Sequence, residues 1–180
     1  GICEASFKSD GFFTNEYEKI FVSSLSGSKG YKKIVDYLAK RRFSNRDALL
    51  KFIGSESGGT PTKQFDDMEL CGFITKYSPY NLAHNSTLVR YAISDPYLQF
   101  YFKFIAPLQN RIESGEFNRK PALAVKMDAY RKWLGFAFER FCRRYQYVIA
   151  KILGFSGVNY RVGVYFDRRT NAANPGYQID

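Results

Sequence analysis

One histidine, His84, and three cysteines at positions 3, 71 and 142 are all that this chain offers toward imidazole or thiolate chemistry. An odd cysteine count at wide spacing supports neither a disulfide framework nor a zinc knuckle. It fits a reducing compartment, and the cytoplasm is the expected location. A lone histidine with no second His or Cys nearby in sequence gives little support to a Ser-His-Asp triad or a histidine-based metal site. No apolar run reaches the roughly 20 residues that span a bilayer, and the start carries no signal-peptide pattern, so no membrane partner is expected. There is also no G-x-x-x-x-G-K-[ST]. The "GSKG" at 27–30 lacks the spacing and the following Ser or Thr. Without that backbone nest and its lysine, no nucleotide cofactor is expected within these residues.

Acidic residues are also few, 17 against 27 Lys and Arg, for a net charge of +10 and a pI near 9.5. Such a balance favours an anionic partner, with nucleic acid ahead of an acidic protein surface. The chain is 45% hydrophobic and carries 17 Phe and 14 Tyr. That is enough for a packed core and excludes a disordered class.

The periodicity predicts a mostly α fold with a small β part, an α+β class. Residues 15–25 form an amphipathic helix with Thr14 as N-cap. A second helix runs over 31–40 with Ile34, Val35 and Leu38 inward, and Ser44 caps a short third ended by Gly54. Thr60 caps a fourth helix, with Pro61 at its first position and Gly72 at its end. Residues 73–78 and 88–94 alternate as two strands around a polar loop. Asp95 and Pro96 then open a helix over 95–107 that is apolar on nearly all sides and therefore buried. Residues 109–126 read as a polar connection. Residues 127–153 read as one long helix with an apolar stripe through Tyr130, Trp133, Leu134, Phe138, Phe141 and Tyr145. A strand over 158–166 and the start of another at 177–180 close the chain. Both ends look cut, so a piece of a longer protein is expected.

Three helices followed by a hairpin is the element order of a winged helix-turn-helix. Its groove-reading helix would be the fourth. That helix sets Lys63 against Asp66, Asp67 and Glu69, the wrong sign for phosphate. Its first turn is better suited: Thr60, Thr62, Lys63 and Gln64 offer hydroxyl, cationic and amide contacts to DNA. Lys76 and Arg90 place two cations on the wing strands. Residues 29–51 hold eight basic and two acidic residues, with Arg41, Arg42 and Arg46 among them, and residues 127–153 hold six and two. These segments suit a grip on a DNA backbone without sequence reading. A protein-interaction module that regulates a neighbouring domain and touches no nucleic acid is the competing reading.

Three pieces in order, "GGTPTKQFDDMELCGFITKY", "VRYAISDPYLQFYFKFIAP" and "WLGFAFERFCRRY", resemble the C-terminal half of archaeal-type P-loop ATPases of the STAND group. The resemblance implies the tail of an ATPase module over 1–28, a winged-helix domain with its buried aromatic helix over 29–107, and a truncated restriction-endonuclease-like α/β piece over 108–180. It implies ATP and Mg²⁺ in the parent, bound by an upstream ATPase domain that is also the module's partner. In the nuclease-like piece Glu139 matches the helical acid and Asp180 the strand-borne acid of the catalytic, metal-holding set. The remaining members of that set have no match here, so no autonomous cleavage is expected. Glu139 also has a simpler reading, an ion pair with Arg143 one helical turn on.

Overall fold

The computed structural model describes residues 1–24, 29–55, 58–81, 88–167 and 178–179. His84 and Asp180 lie outside them. The architecture is mostly helical with small antiparallel β pairs, the α+β class expected.

α1 (Ile2–Phe7) and α2 (Glu16–Ser24) precede α3 (Lys29–Ala39), whose Ile34, Val35 and Leu38 are all but inaccessible to solvent. Thr14 is not a helix cap. Its hydroxyl is buried and donates to the Lys8 carbonyl at 3.1 Å, which closes the turn after α1. α4 (Arg46–Ile53) is capped by Asn45, whose side-chain oxygen accepts from the Ala48 N–H at 2.8 Å. Ser44, expected in that role, forms an isolated β-bridge instead: its N–H donates to the Tyr91 carbonyl at 2.9 Å and its carbonyl accepts from the Tyr91 N–H at 2.8 Å. α4 ends at Gly54, left-handed at φ 69° as expected of a C-terminal glycine.

α5 (Gly59–Leu70) starts one residue before Thr60. Its end is a Schellman turn: Gly72 sits at φ 75°, its N–H reaches the Glu69 carbonyl, and the Phe73 N–H reaches Met68, both at 3.0 Å. The chain leaves directly into β1 (Ile74–Tyr77), which pairs antiparallel with β2 (Arg90–Ile93) in the register Ile74↔Ile93 through Tyr77↔Arg90. With the Ser44 bridge on the other side of Tyr91, β2 is flanked twice.

Asp95 caps α6 (Pro96–Phe100) as expected, accepting from Leu98 N–H at 2.7 Å, with Pro96 in the first turn. The helix does not stop there. It widens into a π turn over Tyr101–Ile105 and tightens to a 3₁₀ turn over Ala106–Leu108 before α7 (Gln109–Glu113). The polar segment expected after residue 108 is thus partly helical. It anchors itself through Ile112 and Phe117, both in the core. Asn118 accepts from the Ser9 N–H at 2.9 Å and joins this segment to the region after α1.

The core is one cluster that runs from Phe7 and Tyr17 through α3, α5 and β2 to the α6 region. Tyr17 stacks on Tyr101 at 4.5 Å between ring centroids. Trp133 stands edge-on to Phe100 and Phe104, each at 5.6 Å, and attaches α8 (Met127–Arg144) to this wall. The helix expected over 127–153 breaks at Tyr145 and resumes as α9 (Gln146–Ile152). Its apolar stripe is not a core face throughout: Leu134, Phe138, Phe141 and Tyr145 are 43–66% exposed. Of the strand expected over 158–166, β3 (Tyr165–Phe166) pairs antiparallel with β4 (Gln178–Ile179), and Val164 makes a parallel bridge to Pro79. Asn81 holds this piece to the hairpin, its amide donating to and accepting from the Phe166 backbone at 3.0 Å each way.

Candidate nucleic-acid interface

The α5 face is the natural starting point, because its residues were expected to meet DNA. Thr60, Thr62 and Lys63 are exposed. The Thr62 hydroxyl is already engaged: it donates to the Gly58 carbonyl at 2.8 Å and accepts from Arg46 at 2.7 Å. Arg46 also lies over the Phe65 ring, 5.1 Å from its centroid. Gln64 is half-buried against α3, so close that a Cβ on Gly30 would come within 2.6 Å of its amide nitrogen. Lys76 is held by acids of α5, at 2.9 Å from Glu69 and 3.4 Å from Asp66. The Glu69 hydrogen bond raises the lysine's pKa, with Asp66 adding in the same direction. Asp67 accepts from the Tyr31 hydroxyl at 2.8 Å. Arg90 lies between two rings, 5.4 Å from Phe43 and 5.8 Å from Phe166. The acids of α5 therefore face the protein's own cations and hydroxyls, and Lys63 remains the exposed cation of its first turn.

A second region concentrates positive charge. A groove of about 930 Å³ runs between the C-terminal end of α3, the π turn and the first half of α8. Lys40, Arg41 and Arg42 line one side. Lys103 stands at the π turn, and Lys126, Lys132 and Arg140 line the side made by α8. Among the described residues Asp128 is the one acid in the lining, and it is almost fully exposed, 4.0 Å from Arg131. Trp133 and Phe136 supply the apolar surface.

Each side of the groove is positioned by packing. Leu38, without solvent contact, anchors the last turn of α3, so residues 40–42 leave from a rigid point. Arg41 lies flat on Tyr37 at 3.6 Å and donates to the Tyr37 carbonyl at 2.9 Å. The π turn keeps Phe104 and Ile105 in the core while Lys103 points to solvent. Trp133 seats α8 against that turn. Arg42 crosses the groove edge to Glu139, at 2.9 and 3.2 Å from its two oxygens, and its guanidinium lies 5.3 Å from the Phe136 ring. Glu139 also accepts from Arg143 at 3.3 Å, the one-turn pair that its spacing suggested. Burial pushes the Arg140 guanidinium below its ordinary pKa; Glu139 opposes that shift, and Arg143 and Arg42 add to it. Among the described residues the site is a cluster of cations with two carboxylates, Asp128 in the lining and Glu139 at the edge. It can hold an anion with several phosphates, and its rings can cover apolar or base surface.

The composition of 29–51 and 127–153 pointed to both halves of this groove. Lys103, Lys126, Trp133 and Phe136 were missed as site residues. No local pattern marks them, since they meet only through packing. Of the nuclease-like pair, Glu139 lies between two guanidinium groups and Asp180 is outside the described residues. Among the described residues, no group of three His, Cys, Asp or Glu side chains is placed to hold a metal ion, and no helix is long and apolar enough to cross a membrane.

No family model and no solved structure matches the chain. It is similar to the uncharacterized protein MJECL04 of Methanocaldococcus jannaschii, 29% identical over 140 residues. The match covers 76% of this chain and 30% of that protein, so the chain spans under a third of its relative's length.

Proposed function

We propose that this chain is a winged-helix regulatory module that grips duplex DNA by its backbone, and that it belongs to a STAND-type ATPase whose nucleotide site lies in another part of the protein. The observation that carries the DNA reading is the groove, with seven basic residues and one acidic residue among its described lining residues. The winged-helix reading is supported by the order α3, Ser44 bridge, α4, α5, β1, β2, with the bridge and β1 on either side of β2. The ATPase assignment rests on the sequence resemblance. On this reading ATP and Mg²⁺ belong to the ATPase module, and the segment after residue 108 is nuclease-like in descent without cleaving on its own.

Contact here is with phosphate rather than base edges. The groove offers cations and ring faces, whereas the acids of α5 engage Lys76 and Tyr31 and leave Lys63 as the exposed cation of its first turn. Binding should therefore be indifferent to sequence and steeply dependent on salt. The test is fluorescence anisotropy of a generic 20-base-pair duplex at low and moderate salt. A Lys103→Glu/Lys132→Glu variant should lose binding, and a Lys63→Glu/Gln64→Ala variant should keep most of it. The reverse pattern would return the contact to α5.

One observation favours the competing protein-interaction reading. The hairpin is tied to the protein itself, through Lys76 on α5 and Asn81 on Phe166. A partner surface of that kind would bind with little response to salt, and the duplex would not bind at all.

A further inference from the structure

We propose that Glu139 is a built-in counter-anion of the basic groove, competing with nucleic-acid phosphate for Arg42. The inference rests on the DNA reading above and goes beyond it by naming what limits the affinity of the site.

Arg42 lies in the turn after α3 and Glu139 in the middle of α8, 97 residues later. Both carboxylate oxygens of Glu139 lie within hydrogen-bond reach of one Arg42 nitrogen, at 2.9 and 3.2 Å. The pair is partly open to water: the Arg42 side chain is 47% exposed and that of Glu139 29%. An incoming anion can reach it. A carboxylate and a phosphate present the same pair of acceptor oxygens to a guanidinium fork. Phosphate can therefore replace Glu139 on Arg42 without rearranging the arginine.

Glu139 has somewhere to go. Arg143 already holds one of its oxygens at 3.3 Å from the same helix, so its charge stays compensated when phosphate takes its place on Arg42. The exchange trades one ion pair for another, and the net gain per phosphate is smaller than for a cation facing water. The Glu139 carboxylate amid Arg42, Arg140 and Arg143 also lowers the local potential that attracts phosphate. Both effects hold affinity down, which suits a regulatory module that must release DNA. In this position the acid that the resemblance places in a metal-holding set serves the arginines instead.

The experiment is a double-mutant cycle on duplex affinity at low salt, with Arg42→Gln, Glu139→Gln and the double variant beside wild type, and melting temperatures to show that each folds. Glu139→Gln should bind roughly three- to ten-fold tighter than wild type. Arg42→Gln should bind more weakly. In the Arg42→Gln background, Glu139→Gln should lose most of its effect, because the competition acts through Arg42. Wild-type binding with no gain in Glu139→Gln overturns the counter-anion role and leaves the DNA reading standing. A gain that persists undiminished without Arg42 also overturns it, since the carboxylate would then act on the groove as a whole. Absence of duplex binding by wild type and all variants at low salt overturns both.

Discussion

Ser44 and Tyr91 exchange both of their backbone hydrogen bonds, at 2.9 and 2.8 Å, across 47 residues of sequence. This bridge joins the start of α4 to β2 and sets how α3, α4 and the hairpin close on one another. It acts through the main chain, whereas the neighbouring Asn45 acts through its side chain. Replacing Asn45 with Ala should therefore cost about 1 kcal/mol of stability, the usual worth of a helix cap. Ser44→Ala should cost less than that, and Ser44→Pro about 2 kcal/mol or more, because it removes the bridging N–H. Urea denaturation of the three variants separates the roles.

Trp133 is the chain's single tryptophan and it lines the basic groove. Its fluorescence should change when duplex DNA binds and recover when salt is raised. The logarithm of the binding constant should fall linearly with the logarithm of salt, with a slope near 0.9 for each phosphate neutralised. Lys132→Gln should lower that slope by about 1. A salt-independent signal would point to an apolar partner instead.

The wall on which α8 packs and the open face of α8 should respond differently to truncation. Phe104, buried beside Trp133, should lose roughly 3 kcal/mol on replacement by Ala. Phe138 is 66% exposed, and Phe138→Ser should change stability by under about 0.5 kcal/mol. Calorimetry on both variants tests this division. A large loss at Phe138 would mean that another surface covers it in solution.

Alkaline pH should loosen the aromatic wall. Burial, and then the charge and hydrogen bond of Asp36, push the Tyr17 hydroxyl well above its usual value near 10.0. Burial does the same to Tyr97 and Tyr101. Each is a neutral acid in the folded state with its pKa raised, so the folded form holds its proton more tightly than the unfolded form. Stability is then fully present below about pH 10 and falls as pH rises toward the folded pKa. Melting temperatures from pH 8 to 11.5 should decline above pH 10, and Tyr101→Phe should flatten the decline.

Much of the local structure is legible in the sequence. Asp95 and Pro96 announce α6, the glycines at 54 and 72 end α4 and α5, and the alternation after Gly72 gives the hairpin. These signals rest on geometry within a few residues: a side-chain oxygen that reaches an N–H three positions on, or a φ that only glycine adopts freely. Capping at Ser44 and Thr60 was less legible, because a hydroxyl near a helix start has several backbone partners within reach. The break at Tyr145 has no glycine or proline to mark it. The exposure of Phe138 and Phe141 also escaped sequence reading, since periodicity shows that a face is apolar and not whether anything covers it.

Sequence alone determined the total positive charge, the segments that carry it, the element types and the aromatic material of the core. Tertiary structure decided which of those charges remain for a ligand. An ion pair forms only when two groups come within a few ångströms, and over that distance it overrides what net charge suggests. Packing of Met68 and Phe73 at the end of α5 brings Lys76 to Glu69 and removes it from the hairpin's free positive charge. Packing of Trp133 on Phe100 and Phe104 brings two basic segments a hundred residues apart into one groove, and sets Glu139 against Arg42 at its edge.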